Sequence, residues 1–195
     1  MHEVAPRVVR SELILGGQKS GKTRRAEALA AAWLAQSPAH GAVYIATAQA
    51  WDDEMRERIA RHRLDRAQRV PRMQTVEEPV ALAHAIGAHS DPRTLIVVDC
   101  LTLWLTARLM PAVEDPAGPL PEVDGANSLA AAVDACAGPL VLVSNEIGLG
   151  VIPMGRDVRN FVDALGTLNQ LAAAACERVT LMSRSEEHTS ELQSL

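Results

Sequence analysis

The sequence predicts an α/β fold, with a mostly parallel sheet covered by helices on both faces. Short apolar runs rich in β-branched residues alternate along the 195-residue chain with longer helix-forming runs, which is the order that βαβ units require. The run Thr94–Asp99 is apolar and rich in β-branched residues until its last residue, a carboxylate, as expected for a parallel strand buried on both faces. The run Leu13–Leu15 enters a glycine-rich turn that leads directly into helix-forming residues. These observations favour a single domain built on one sheet.

Local signals set the expected boundaries of the elements. Ser37-Pro38 ends the first helix, because the residue before a proline disfavours helical backbone. Asp52, Asp53 and Glu54 open the second helix, where acidic side chains suit the helix dipole, and Pro79 is expected as the first residue of the third. The predicted strands are 13–15, 42–46, 72–76, 94–99, 140–144 and 178–182, and the predicted helices are 22–35, 52–66, 79–89, 101–109, 127–137 and 156–175.

Three stretches are expected to lie outside these elements. Residues 1–10 form a loose leader, and residues 110–125, rich in proline, glycine and acid, form a loop. After Met182 the apolar pattern stops, and residues 183–195 are polar and compatible with a helix. We interpret this last stretch as non-native read-through, of the kind that a sequencing adapter leaves, or else as an ordinary surface tail. The predicted catalytic domain therefore spans 11–182, and His188 is not a candidate ligand or catalyst.

Composition excludes several classes of partner. A net charge of −5 and an aromatic content of 3% argue against a nucleic-acid-binding surface, which needs a basic face or a stacking platform. Cys100, Cys136 and Cys176 match no zinc-binding spacing and are expected to be buried and reduced. There is no signal-peptide pattern, and no apolar run approaches the roughly 18 residues of a membrane span. We therefore expect a cytoplasmic protein without a membrane span or a nucleic-acid partner.

The turn after the first strand carries a phosphate-binding pattern. It satisfies G-x-x-x-x-G-K-[ST], the P-loop, between a strand and a helix, so an incidental glycine-rich turn is the weaker alternative. Backbone N–H groups and the helix N-terminus would hold the α- and β-phosphates of a nucleoside triphosphate. Lys22 would reach the β- and γ-phosphates, and the Thr23 hydroxyl would ligate Mg²⁺. The residues of the pattern are Gly16, Gly17, Gln18, Lys19, Ser20, Gly21, Lys22 and Thr23.

Asp99 is the second candidate site residue. It stands at the carboxyl end of a predicted buried strand downstream of the P-loop, which is the place of the acidic residue that helps to hold Mg²⁺ in P-loop proteins. Ligands of open α/β sheets bind at this edge. An aspartate that merely ends a strand is common, and the P-loop is what favours the functional interpretation.

His62 lies among arginines on the predicted helix 52–66. Arg58 and His62 are four residues apart and share a helix face, and the arginines could neutralise a triphosphate beside the imidazole. Spacing alone favours the alternative of an exposed histidine without a function.

Several further motifs follow the P-loop in one order. They are Tyr44-Ile45-Ala46-Thr47, Asp52-Asp53-Glu54-Met55, Arg58-Ile59-Ala60-Arg61-His62, Val76-Glu77-Glu78-Pro79, the stretch from Asn145 to Pro153, and Gly166-Thr167-Leu168-Asn169-Gln170. Over residues 11–182 the chain resembles the bifunctional adenosylcobinamide kinase / adenosylcobinamide-phosphate guanylyltransferase family of cobalamin biosynthesis. The resemblance implies a RecA-like P-loop fold and a homotrimer.

The resemblance also implies two reactions on a corrinoid substrate. ATP or GTP phosphorylates the aminopropanol hydroxyl of adenosylcobinamide, and GTP then transfers GMP to that phosphate through a covalent guanylyl-histidine. His62 matches the histidine that takes up GMP, so the resemblance reverses the interpretation that spacing alone favours, and Lys22 and Asp99 match the P-loop lysine and its acidic partner. The further nucleotide contacts that it implies are Thr47, Ala48, Gln49, Arg63, Leu64, Asp65, Arg66 and Glu77.

Some residues depart from the family pattern, and other classes of function stay open. Lys19 and Thr23 stand where arginine and serine are more usual, and the apolar ending of the family is replaced by the tail after Met182. Asn145 and Glu146 face the edge of the site, either as functional groups or as local caps. The alternatives are a small-molecule P-loop kinase with an inert His62, and a non-catalytic NTP-dependent switch.

Overall fold

The computed structural model describes residues 6–50, 52–109, 122–151, 153–184 and 186–191, and most strands along them are followed by a helix. All of the predicted strands and helices are present, and the strand Thr94–Asp99 and the helices 101–109 and 156–175 have the predicted bounds. The strands are β1 Ser11–Gly16, β2 Gly41–Ala46, β3 Met73–Glu77, β4 Thr94–Asp99, β5 Leu140–Val143, β6 Arg178–Ser183 and β7 Glu186–Glu191. The helices are α1 Lys22–Gln36, α2 Asp53–Arg69, α3 Leu82–Ala88, α4 Leu101–Leu109, α5 Glu122–Ala135 and α6 Arg156–Ala175.

One sheet joins all of these strands in the order β3-β2-β4-β5-β1-β6-β7. Strands β1 to β6 pair with one another in parallel, and β7 pairs antiparallel with β6. The predicted α/β fold class is thereby confirmed. Because β5 lies between β1 and β4, the carboxyl ends of β1 and β4 open on the same edge of the sheet, one strand apart.

The core consists of two apolar layers, one on each face of the sheet. In β4, Ile96 and Val98 belong to the layer under α3–α6, while Leu95 and Val97 belong to the layer under α1, and all four are 0% exposed. This is the two-sided burial that a continuous apolar strand predicts. The three cysteines are buried and free, as expected. No helix in the described part of the chain is both long and apolar enough to cross a lipid bilayer.

Several helix boundaries differ from the prediction, among them the end of α2, which lies at Arg69 and not near residue 66. Helix α3 begins at Leu82 and not at Pro79, because the Glu78 carboxylate accepts the N–H groups of Val80 and Ala81 at 2.9 and 2.7 Å and forms a turn before the helix. Helix α5 begins at Glu122, so the last four residues of the predicted loop 110–125 are helical. The rest of that predicted loop, and the leader residues 1–5, lie outside the described residues.

The polar stretch after Met182 also differs from its expected conformation. Residues 186–191 form β7, a strand that pairs with β6 from Ser183↔Glu186 to Arg178↔Glu191. Arg184 turns the chain between the two strands with φ of 50°. The helix-compatible conformation expected for this stretch is therefore wrong for residues 186–191, whereas its interpretation as non-native read-through stays a prediction.

Candidate functional site

The P-loop connects β1 to α1 at the carboxyl edge of the sheet. Gly16 has φ of +151° and Gly21 has φ of +101°, a backbone region that side chains rarely adopt. A Cβ atom on Gly16 would lie 2.5 Å from the carbonyl oxygen of Met182 and 2.6 Å from Ser20 Oγ. Gln18 and Lys19 are exposed at the tip of the loop, where Lys19 has φ of 59°.

Lys22 is buried within the turn of this loop. Its Nζ donates to the carbonyl oxygens of Gly16 and Gly17 at 2.8 and 2.6 Å. Burial lowers the pKa of Lys22, and the nearby charge of Asp99 acts in the opposite direction. The lysine of the sequence pattern therefore lies folded over the loop that would face the phosphates of a nucleotide.

Thr23 and Asp99 meet where the P-loop helix approaches the end of β4. Thr23 Oγ1 donates to Asp99 Oδ2 at 2.7 Å, and the hydroxyl of Tyr44 donates to the same oxygen at 2.7 Å. Burial raises the pKa of Tyr44 well above its ordinary value, and Asp99 adds to that effect. Tyr44 therefore stays a phenol, and it can serve as a donor to the carboxylate.

The hydroxyl and carboxylate oxygens of this pair suit Mg²⁺. This ion takes one or two protein oxygens together with phosphate oxygens and water. Within the described residues no group of three or more His, Cys, Asp or Glu side chains could hold a metal. Thr23 and Asp99 therefore fit a magnesium ion that arrives with a nucleotide, and not an all-protein metal cage.

Thr47 lies just beyond β2 and is 0% exposed. Its Oγ1 donates to the carbonyl oxygen of Cys100 at 2.7 Å and accepts the N–H of Cys100 at 2.8 Å. These bonds tie the carboxyl ends of β2 and β4 together beside Asp99. The hydroxyl of Thr47 is thus engaged by backbone groups, and its contact with a nucleotide stays a prediction.

A cleft of about 350 Å³ lies between α2 and the ends of β2 and β3. Ala48, Gln49, Arg63 and Glu77, which the family resemblance nominates together, all line it. Arg63 and Glu77 form an ion pair there, and no described P-loop residue lines the cleft. The volume is within the range of small-molecule sites. The rest of its lining is Ala50, Arg56, Ile59, Ala60 and Pro79.

Helix α2 places the other nominated residues in different surroundings. His62 is exposed, one residue before Arg63 of the cleft, and Leu64 is 67% exposed. Asp65 accepts a bond from Arg69 at 3.2 Å. Arg66 is buried, with its guanidinium 3.7 Å above the ring centroid of Tyr44 and its Nη2 donating to Thr75 Oγ1 at 3.1 Å. The four residues after His62 therefore do not share one surface.

Tyr44 is the residue of this site whose role sequence reasoning missed. It is the chain's one tyrosine, and it interrupts an otherwise aliphatic buried strand two residues before the strand ends. A buried tyrosine hydroxyl usually has a hydrogen-bond partner. That signal could have nominated Tyr44 as a neighbour of a polar group at the carboxyl edge.

The segment after β5 borders the P-loop. The N–H of Glu146 donates to the carbonyl oxygen of Gly16 at 3.1 Å. The Glu146 carboxylate accepts the N–H of Gly148 at 2.8 Å, which favours the local-cap interpretation of this side chain. Asn145 is held through its backbone by Thr102 and Asn169. Ile152 of the same motif lies outside the described residues.

Comparisons with known proteins agree with one another. The model of a family described as cobinamide kinase / cobinamide phosphate guanyltransferase matches residues 12–186. A bifunctional adenosylcobalamin biosynthesis protein, CobP, from Pseudomonas aeruginosa is 47% identical over 171 residues, which cover 87% of this chain and 90% of that protein. The bifunctional adenosylcobalamin biosynthesis protein CobU of Escherichia coli is 36% identical over 178 residues, covering 87% of this chain and 93% of that protein. CobU of Salmonella typhimurium has the same identity and coverage.

Proposed function

This chain belongs to the cobinamide kinase / cobinamide phosphate guanyltransferase family, and we propose that it carries out both reactions on a corrinoid substrate. It phosphorylates the aminopropanol hydroxyl of adenosylcobinamide and then transfers GMP to the resulting phosphate. The observation that carries this proposal is the 2.7 Å contact of Thr23 with Asp99 beside a complete P-loop, in a chain whose relatives are named as bifunctional enzymes.

The kinase step uses the P-loop. The backbone N–H groups of Gly16–Thr23 and the N-terminus of α1 hold the phosphates of ATP or GTP, and Lys22 balances their negative charge. Thr23 and Asp99 would hold Mg²⁺, and this ion would neutralise charge that develops on the transferred group. The hydroxyl oxygen of the corrinoid side chain attacks the γ-phosphorus, the bond between that phosphorus and the β–γ bridging oxygen breaks, the nucleoside diphosphate leaves, and the hydroxyl proton passes to solvent.

The guanylyl step proceeds in two displacements. A ring nitrogen of His62 attacks the α-phosphorus of GTP, the bond from that phosphorus to the bridging oxygen breaks, and pyrophosphate leaves. A phosphate oxygen of adenosylcobinamide phosphate then attacks the same phosphorus, and the P–N bond breaks to regenerate the imidazole. Residues Ala48, Gln49, Arg63 and Glu77 of the cleft hold the nucleotide, and Arg63 supplies positive charge beside His62. Thr47, Leu64 and Asp65 are further proposed contacts, whereas Arg66, whose guanidinium is buried against Tyr44, is not retained as one.

We also propose that the protein works as a homotrimer in the cytoplasm, from its resemblance to the family. Light scattering of the purified protein tests the assembly, since a monomer or dimer mass would contradict it. Fractionation of the native host tests the compartment.

Covalent labelling tests the proposed function. The protein is incubated with GTP labelled at the α-phosphate, Mg²⁺ and no acceptor, and is then analysed on a denaturing gel and by intact mass. We expect acid-labile label that is lost in His62→Ala and retained in His84→Ala, which removes another exposed histidine on α3. Retention of the label in His62→Ala contradicts the assignment. Phosphoryl transfer to adenosylcobinamide without any covalent label indicates the monofunctional kinase, and binding without either reaction indicates a switch.

A further inference from the structure

Helix α2, which carries His62, is attached to the domain mainly through arginine side chains. Of its residues only Arg66 is buried. Arg69 donates to Glu27 of α1 at 2.5 Å, and Arg63 pairs with Glu77 at the end of β3. The orientation of His62 therefore depends on polar contacts rather than on an apolar seam.

Arg66 is the contact of α2 that leads to the P-loop site. It follows His62 by four residues, so the two side chains leave the helix about 40° apart. Its guanidinium lies 3.7 Å above the ring centroid of Tyr44, which is within the range of a cation–π interaction. The hydroxyl at the other end of Tyr44 donates to Asp99 Oδ2, the atom that also accepts Thr23 Oγ1. One tyrosine thus touches the helix of His62 through its face and the P-loop site through its tip.

We propose that Tyr44 is a positioning residue for guanylyl transfer, which holds Arg66 through its ring and Asp99 through its hydroxyl and so fixes the His62 helix relative to the P-loop. This inference rests on the proposed function. Tyr44 is 5% exposed and acts through its two neighbours without touching the nucleotide. Breaking the contact with Arg66 displaces His62 from the nucleotide held in the cleft while leaving the P-loop itself in place.

Substitutions of Arg66 and of Tyr44 affect the two reactions differently. Arg66→Met removes the stacked cation and leaves the Tyr44–Asp99 bond, so it lowers the rate of His62 guanylylation about tenfold and the kinase rate less than threefold. Tyr44→Phe keeps the ring and removes the bond to Asp99, so it lowers both rates. In the double variant the guanylylation rate falls no further than in the more affected single variant, because either substitution alone already breaks the connection from Arg66 through Tyr44 to Asp99.

The experiment measures both half-reactions separately in the full chain. Guanylylation is followed by covalent label from α-labelled GTP without acceptor, and the kinase step by phosphorylation of adenosylcobinamide. Arg66→Lys, which retains a cation above the ring, recovers part of the rate. Arg69→Met is the matched control, since it removes another arginine contact of the same helix, and it stays within twofold of wild type. Thermal unfolding of each variant monitors the fold.

Three results overturn the inference. One is a double variant whose guanylylation rate falls by the product of the fold-decreases measured in the two single variants. Another is an Arg66→Met variant that slows both half-reactions equally, which indicates a general loss of structure. The third is an Arg69→Met variant as slow as Arg66→Met, which means that any loosening of α2 is sufficient. Absence of label in the wild type is a separate result: it overturns the proposed guanylyl transfer, and this inference with it.

Discussion

The carbonyl oxygen of Met182 lies 2.5 Å from the point that a Cβ atom on Gly16 would occupy. Real Cβ atoms do not approach a carbonyl so closely, and Gly16 also has φ of +151°. We expect Gly16→Ala to destabilise the protein by about 2 kcal/mol, from backbone strain and displacement of β6. Urea unfolding measures this change.

Gly17→Ala is the matched control in the same loop. A Cβ atom on Gly17 would meet nothing within 4 Å, so its free energy of unfolding should stay within about 0.5 kcal/mol of wild type. Equal losses in the two variants would mean that the approach of Met182 is not what requires a glycine at residue 16.

Arg25 and Glu12 form a buried ion pair beneath the P-loop helix. Arg25 Nε lies 2.8 Å from Glu12 Oε1, and Thr180 Oγ1 donates to the same oxygen at 2.8 Å. Arg25→Met would leave a carboxylate that is 1% exposed without its main counter-charge. We expect a loss of about 3 kcal/mol in the free energy of unfolding, measured by chemical denaturation.

The neighbouring Arg24 provides the comparison for that variant. Arg24 is exposed, so Arg24→Met should change the free energy of unfolding by less than about 0.5 kcal/mol. A small effect of Arg25→Met as well would indicate that Arg178, 3.6 Å from Glu12 Oε2, is sufficient to balance the carboxylate.

Substitution of Glu77 in the cleft tests GTP binding separately from the stability of the fold. Its ion pair with Arg63 is about half exposed on both sides, and such pairs contribute little to folding. Glu77→Gln should therefore leave the melting temperature almost unchanged while it weakens GTP binding severalfold, as isothermal calorimetry would measure. Unchanged affinity for GTP would remove Glu77 from the proposed nucleotide contacts.

Cys176 should make the protein less stable in alkali. Burial raises the pKa of its thiol to about 12 from an ordinary value of 9.0. Above pH 9 the unfolded chain releases a proton that the native chain keeps, so native stability falls as pH rises. Between pH 8 and pH 10 this loss is about 1 kcal/mol for one thiol. Cys176→Ala should lose correspondingly less stability over that interval, and parallel losses in both proteins would contradict the assignment.

The parts of the fold that the sequence predicted best have strong local patterns. The bounds of β4 follow from an uninterrupted β-branched run, and those of α6 from a long amphipathic stretch. The start of α3 was misplaced because the Glu78 carboxylate caps a turn that proline alone does not reveal. Strand β7 was missed because its partner is the free edge of β6, and a polar stretch has no alternation that predicts such pairing.

Site residues that a local pattern marks were likewise easier to predict than contacts that depend on packing. The P-loop is contiguous in sequence, and Asp99 is marked by the end of a buried strand, so both were nominated from local patterns. Arg66 was nominated with its neighbours as a nucleotide contact, yet its guanidinium lies on Tyr44. That contact depends on how α2 lies across β2, which is a property of the packing of two elements, and neither element alone indicates it.

The arginine-based attachment of α2 makes the geometry of His62 sensitive to ionic strength. Helix α6 is held by buried residues such as Leu165 and Leu168, and salt does not weaken apolar contacts of that kind. The half-exposed ion pair of Arg63 on α2 with Glu77 is screened, since the Debye length falls from about 10 Å at 0.1 M to about 3 Å at 1 M salt. A concentrated salt solution should thus loosen one helix selectively, and the ratio of guanylyl transfer to phosphoryl transfer becomes a property of the buffer as well as of the enzyme.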